Sequence, residues 1–333
     1  MKVHNRQVNG QSNYKRAAPV FHNEDHRMHM LVVAMNYDCT SRPLTNSTDA
    51  KNVEELARQC GVQSLQAFYN EQCTKDVVLG ALRQLASECG PDDYLICYLA
   101  GHGTDLSDAR GREADGQQEA FVCVNRRGQV SPETVISDSE FCEQVLPLLH
   151  ADTRILILTD CQHPGTILDL SRPAWEGRQA ISIAGCQDGE YSEANSRSGI
   201  FTHSLLLAID KLSKVGRDNY SVGMLFNAAL HEDEIVFDGK QDVVLQAAPK
   251  FTTDAMAWPL VPPIGYQAPL SRCADPGARS VSPSVLQHVA RDALNVPVSI
   301  EEYVNYVQGG ALFQIKPCRA CTAGCSAGQC LVQ

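Results

Sequence analysis

The chain has 333 residues, 44% of them hydrophobic and 20% charged. This excludes general disorder and suits roughly two domains, or one large domain with an extension. Lys and Arg number 28 against 39 Asp and Glu, a net charge of −11, which argues against a nucleic-acid or anionic-membrane surface and leaves room for a basic substrate.

Strand-like and helix-like segments alternate over residues 28–263, which predicts an α/β domain with a mostly parallel sheet and helices on both faces. Residues 30–35 read as a short buried strand. Next comes a helix capped by Asp49, with Val53, Leu56 and Ala57 at helical spacing and a stop near Gly61. Residues 74–89 read as a second helix, with Val77, Leu82 and Leu85 on one face and Gly90-Pro91 as its stop. Residues 94–99 are a buried strand that runs into Ala100-Gly101-His102-Gly103.

Residues 105–118 are polar and read as a long exposed loop, 120–124 as a strand and 138–149 as a helix. A further buried strand, 154–159, ends on Asp160-Cys161-Gln162-His163-Pro164-Gly165-Thr166. A strand at 180–184, an apolar helix at 200–212 and a charged linker at 213–219 follow. Residues 1–27 form a polar N-terminal segment and 264–333 a C-terminal extension, with helices at 284–293 and near 300–307.

The N-terminal segment lacks the apolar stretch of a signal peptide, and no apolar run reaches the ~18 residues of a membrane helix. Most of the fourteen Cys lie in apolar stretches, which predicts free buried thiols and a reducing compartment, cytoplasmic or nuclear. Cys318, Cys321, Cys325 and Cys330 read as free or redox-active thiols of a tail. A tetrahedral zinc site is the alternative.

Two of the buried strands end in turns suited to chemistry. One delivers His102 between glycines; the other delivers Asp160, Cys161 and His163 ahead of Gly165. In open α/β sheets sites form at the carboxyl ends of strands. A His at one such end and a Cys at another suit a thiolate nucleophile with an imidazole base, although a Gly-His-Gly turn is also an ordinary structural feature.

The chain resembles the metacaspases, caspase-like cysteine peptidases. The resemblance is carried by Asn36-Tyr37, residues 44–52 (LTNSTDAKN), Asp92-Asp93-Tyr94 leading to Gly101-His102-Gly103, residues 115–119 (DGQQE), residues 160–170 (DCQHPGTILDL) and Gly185-Cys186-Gln187-Asp188. It implies a caspase-like fold over residues 28–263, with His102 at the general-base position. Asp49 and Asp160 fall at the two acidic positions that receive the Arg or Lys of a substrate. Two carboxylates facing one guanidinium make a charge-assisted, bidentate contact.

The nucleophile position holds Gln162, whose amide forms no acyl-enzyme, and Pro164 removes an N–H beside the oxyanion region. Cys161 lies one residue early and would serve as nucleophile only through a shifted turn; otherwise it packs beside the strand end. The resemblance also places Asp138 and Asp169 at calcium-binding positions, while Gln118 and Ser139 stand where acidic residues are expected. A weakened calcium site, or none, follows. Asn46 and Ala100 replace the Cys and Ser usual in the pocket wall.

The sequence thus predicts a pseudopeptidase that binds peptides or proteins bearing Arg or Lys, or other metacaspases, and requires no cofactor. The alternative is an active endopeptidase using His102 and Cys161.

Overall fold

The computed structural model describes residues 26–107, 117–161, 168–186, 199–214, 219–237 and 242–269. Residues 1–25 of the N-terminal segment, the Gln162 turn, the helices expected at 284–293 and 300–307 and the Cys-rich tail lie outside them. A six-stranded sheet runs through the core. Its strands are β1 (Met28–Ala34), β2 (Ser64–Tyr69), β3 (Tyr94–Gly101), β7 (Arg154–Cys161), β8 (Gln179–Cys186) and β9 (Asp242–Ala247), in the order β2-β1-β3-β7-β8-β9. The first five strands are parallel, and β9 pairs antiparallel with β8. Strands β4 (Gly103–Ser107), β5 (Gln117–Val122) and β6 (Val135–Ser137) form a second, antiparallel sheet.

The central strands are apolar on both faces because both faces are covered. One face carries Met30, Val32, Ile96, Tyr98, Leu156 and Leu158 under the helices α1 (Asn46–Gln59), α4 (Ile200–Lys214) and α5 (Val222–Phe237). The other carries Leu31, Val33, Cys97, Leu99, Ile157 and Cys161 under α2 (Lys75–Glu88) and α3 (Asp138–Gln144). This is the mostly parallel sheet with helices on both faces that the alternation predicts.

Several boundaries differ from the expectation. The stretch 105–118 is not all loop, since its ends pair as β4 and β5. The helix at 138–149 stops at Gln144 and gives way to a 3-10 turn, Leu146–Leu148, because Pro147 has no N–H to continue the ladder. Asp49 does not cap α1: Thr45 holds the cap position, and Asp49 lies buried in the first turn. Thr74 does cap α2, accepting from the N–H of Val77, whereas Val77 itself is exposed and Val78 takes the core position. Ser213 and Lys214 extend α4 and do not begin a linker. Strands β2, β6 and β9 and helix α5 have no counterpart in the sequence pattern. Among the described residues, no helix is long and apolar enough to cross a membrane.

Candidate active site

The strand order reverses between β1 and β3, because the chain leaves β1 outward to β2 and returns on the other side to β3. Loops diverge at such a point and leave a crevice beyond the carboxyl ends. Tyr37 follows β1 there and His102 follows β3. The His102 N–H donates to Tyr37 Oη at 2.9 Å, and that hydroxyl donates to the Val122 carbonyl at 2.5 Å. The two rings lie 4.4 Å apart between centroids. Gly101 is required because a Cβ would stand 2.5 Å from Tyr37 Oη and 3.1 Å from the Phe121 ring.

His102 Nε2 lies 2.9 Å from the Arg42 carbonyl oxygen. A carbonyl only accepts, so Nε2 carries the proton and Nδ1 is the basic nitrogen. Burial pulls the imidazole below its ordinary value, against the Arg42 hydrogen bond, which favours the neutral form a general base needs.

Cys161 is the last residue of β7, paired in register with Gly101. Its side chain belongs to the α2/α3 layer, is 5% exposed, and its Sγ lies 3.7 Å from the Leu99 carbonyl. Because successive residues of a strand face opposite ways, its neighbour Asp160 enters the other layer. Residues 162–167, with Gln162 and Pro164, lie outside the described residues.

Asp160 is buried under the start of α4. It accepts from Thr202 Oγ1 at 2.6 Å and from the backbone N–H groups of Gly199 and Thr202. The Tyr98 hydroxyl is 2.7 Å from the same Thr202 oxygen. Asp49 comes to this place from α1, with its carboxylate against Gly199, where φ is +106° and a Cβ would collide with Oδ2. Burial first, then the charges of Asp160 and Asp49, push the Tyr98 phenol well above its ordinary value. Burial likewise raises the Asp160 carboxyl to about 6, against the three hydrogen bonds. The structure therefore brings the two acidic residues together. The first turn of α4 supplies donors to Asp160 much as a guanidinium would.

Asp138 and Asp169 also lie near one another, since the charge of Asp169 contributes to raising the Asp138 carboxyl. Asp138 is fully buried and held by the Arg172 guanidinium, whose Nη2 also donates to Ser139 Oγ at 3.2 Å. Burial is the main cause of the raised Asp138 value, with Arg172 opposing it. Asp169 receives Ser171 N–H, Ser171 Oγ–H and Gln246 Nε2–H, each at 2.9 Å. A calcium ion asks for six to eight oxygens, several of them carboxylate. Here a resident cation covers Asp138, so these residues do not fit the ion. Among the described residues no group of three or more His, Cys, Asp or Glu could hold a metal. Removing one partner of a buried pair leaves an uncompensated charge, so Arg172→Ala is expected to cost about 3–5 kcal/mol. Urea unfolding checks this, and a loss under 1 kcal/mol would show the pair to be incidental.

Thr202, Gly199 and Arg172 escape sequence reasoning. Thr202 and Gly199 belong to an apolar helix start with no motif of its own, whereas Arg172, three residues beyond Asp169, is a signal that could have been used. Asn46 is buried with Nδ2 unpartnered, and Ala100 is buried on β3.

The chain is similar to known proteins. The caspase-domain family model matches residues 27–248. Metacaspase-2 of Arabidopsis thaliana is 25% identical over 193 residues, covering 50% of this chain and 44% of the relative. Metacaspase-1B of Neurospora crassa is 27% identical over 208 residues, 57% of this chain and 46% of the relative. The chain thus spans less than half the length of these two relatives. A solved protein from Geobacter sulfurreducens superposes with a TM-score of 0.49 at 19% identity, covering 67% of this chain and 93% of its own.

Proposed function

Because the chain belongs to the caspase-domain family and is metacaspase-like, we propose that it is a pseudopeptidase that holds peptides bearing Arg or Lys without cutting them. One observation carries this reading: the thiol of Cys161 is buried against the Leu99 carbonyl, in the layer opposite Asp160. Attack on a peptide held by Asp160 would need that thiol to leave its layer. The residue after it is Gln162, which has no nucleophilic atom of comparable reactivity.

In this reading Asp49 and Asp160 take the guanidinium or ammonium of the ligand. Its donors replace those that Asp160 now receives from Thr202 and Gly199. His102 keeps the geometry of a base with no proton to abstract. Fluorescence anisotropy of an Arg peptide and its citrulline analogue tests the binding. The Arg peptide is expected to bind and stay intact over hours, and the analogue to bind at least 10-fold more weakly, a loss of about 1.4 kcal/mol. Cleavage of the Arg peptide that disappears on Cys161→Ala would overturn the proposal.

An active endopeptidase is the second reading, favoured by the hydrogen-bonded orientation of His102. The readings divide on thiol chemistry. Iodoacetamide is expected to label exposed Cys39 and leave Cys161 unmodified, as read by peptide mass mapping. Labelling of Cys161 at the pace of Cys39 would favour the enzyme.

No calcium dependence is proposed, given the Arg172–Asp138 pair. Millimolar calcium should leave the melting temperature of the parent protein unchanged. The eight cysteines whose side chains are described are free thiols, which supports a reducing, cytoplasmic or nuclear setting. Other metacaspases with Arg or Lys in exposed segments are a natural class of partner for an acidic pocket.

A further inference from the structure

Tyr37 has no part in the reading above, yet it touches His102 in two separate ways. Its backbone sits at φ +53°, a region unusual for a bulky aromatic residue, and such outliers concentrate where surrounding contacts over-determine the geometry. From the side chain, Oη accepts the His102 N–H and the ring packs against the imidazole. From the backbone, the Tyr37 carbonyl accepts both the N–H and the Oγ1–H of Thr40, each at 2.9 Å. Thr40 Oγ1 in turn accepts the Arg42 N–H at 3.2 Å, and the Arg42 carbonyl accepts from His102 Nε2 at 2.9 Å.

These contacts close a ring. It leaves His102 at its backbone N–H, passes through Tyr37, Thr40 and Arg42, and returns to the imidazole. The neighbouring Asn36 anchors the same loop, accepting the Ser47 N–H on its side-chain oxygen and the Leu44 N–H on its carbonyl. A hydrogen-bond circuit that grips both ends of one residue removes its rotational freedom and selects one tautomer.

We propose that Tyr37 and Thr40 are positioning residues for His102, holding it as the Nε2–H tautomer with Nδ1 as the open nitrogen. The inference rests on His102 occupying the base position of the proposed site. It goes beyond that reading by naming what orients the base, from a loop that precedes it by some sixty residues.

The test is two-bond 15N–1H correlation NMR on the full chain labelled at histidine nitrogen, with His102 assigned through His102→Gln. The parent is expected to show a single Nε2–H tautomer for His102. Tyr37→Phe, which keeps the ring and removes Oη, and Thr40→Val are each expected to give a mixed tautomer signal, and Thr40→Ser to restore the parent pattern. Thr40 is only half-buried, so its variants keep the fold if Tyr37→Phe does not. An Nδ1–H tautomer in the parent, or parent-like spectra in Thr40→Val and a folded Tyr37→Phe, would overturn the proposal. Turnover plays no part in this measurement. A Gln162→Cys variant that stays silent would sink the site reading, while the tautomer still decides the role of Tyr37. Where that variant is active, Thr40→Val should lower kcat about 10-fold with KM unchanged.

Discussion

Asp160→Asn should make the protein more stable above pH 6 while abolishing its affinity for Arg peptides. The carboxyl is buried and raised to about 6, against an ordinary value of 3.8 that the unfolded chain recovers. Below the unfolded value both states are protonated and the folded form bears no cost. As pH climbs from there through the folded value, the unfolded chain ionises first and stability falls. The full cost, on the order of 3 kcal/mol, is reached above about pH 6. Asparagine never ionises and escapes it.

The new amide N–H group must find an acceptor, at a cost of about 1–3 kcal/mol if it does not. A net rise in melting temperature of roughly 5 °C at pH 7.5, shrinking to nothing or reversing near pH 4, is the expectation for a domain of this size. Binding should move the other way. In the parent, affinity for an Arg peptide should strengthen as pH rises through 6, since only the carboxylate complements the guanidinium. In the variant it should be lost. Calorimetric melts at two pH values, together with peptide titrations, read both effects. A variant less stable at pH 7.5 but unchanged in peptide affinity would mean that Asp160 serves only to cap α4.

Gln162→Cys is expected to turn a silent protein into a peptidase. Loss of the nucleophile from a comparable catalytic unit costs roughly 10⁶ in turnover. His102 and the acidic pair are already in place, so restoring a thiol should raise cleavage after Arg by at least about 10³ over the parent, with Pro164 holding it below a full recovery. Fluorogenic Arg and Lys peptides measure this, and trapping with an Arg-directed electrophile should add one adduct to the variant alone. An adduct on the parent at Cys161 would mean that the turn is shifted by one residue, with Cys161 as the working nucleophile.

The layered sheet is legible because buried parallel strands leave unbroken apolar runs such as 30–35 and 94–99. The edge strands β2 and β9 carry half-buried residues and no such run, so local pattern passed over them. His102, Asp49 and Asp160 could be named because motif order singles them out. Thr202 could not, because it meets Asp160 across 42 residues; Tyr37 stands in a quoted motif, but its contact with His102 spans 65 residues and leaves no local sign. Asp49 shows the limit of local rules: an acidic residue at a helix start suggests a cap, yet the first turn of α1 faces inward and spends it on Gly199.

The dependence of the acidic pocket on α4 also sets a schedule for its birth. Thr202 of α4 meets the Tyr98 hydroxyl of β3 across 104 residues and Asp160 of β7 across 42. Pairings of that span close slowly, and a chain emerging from the ribosome offers its N-terminal elements first. A nascent chain that stops short of Gly199 therefore carries Asp49 and Asp160 with the α4 donors still unsynthesised. Strands β1, β2, β3, β7 and β8 precede α4 in the chain, whereas α5 and β9 follow it. Until α4 docks, Asp160 lacks the hydrogen bonds that hold it in the folded protein, so a product truncated there would carry an unsatisfied Asp160 and an uncovered sheet face.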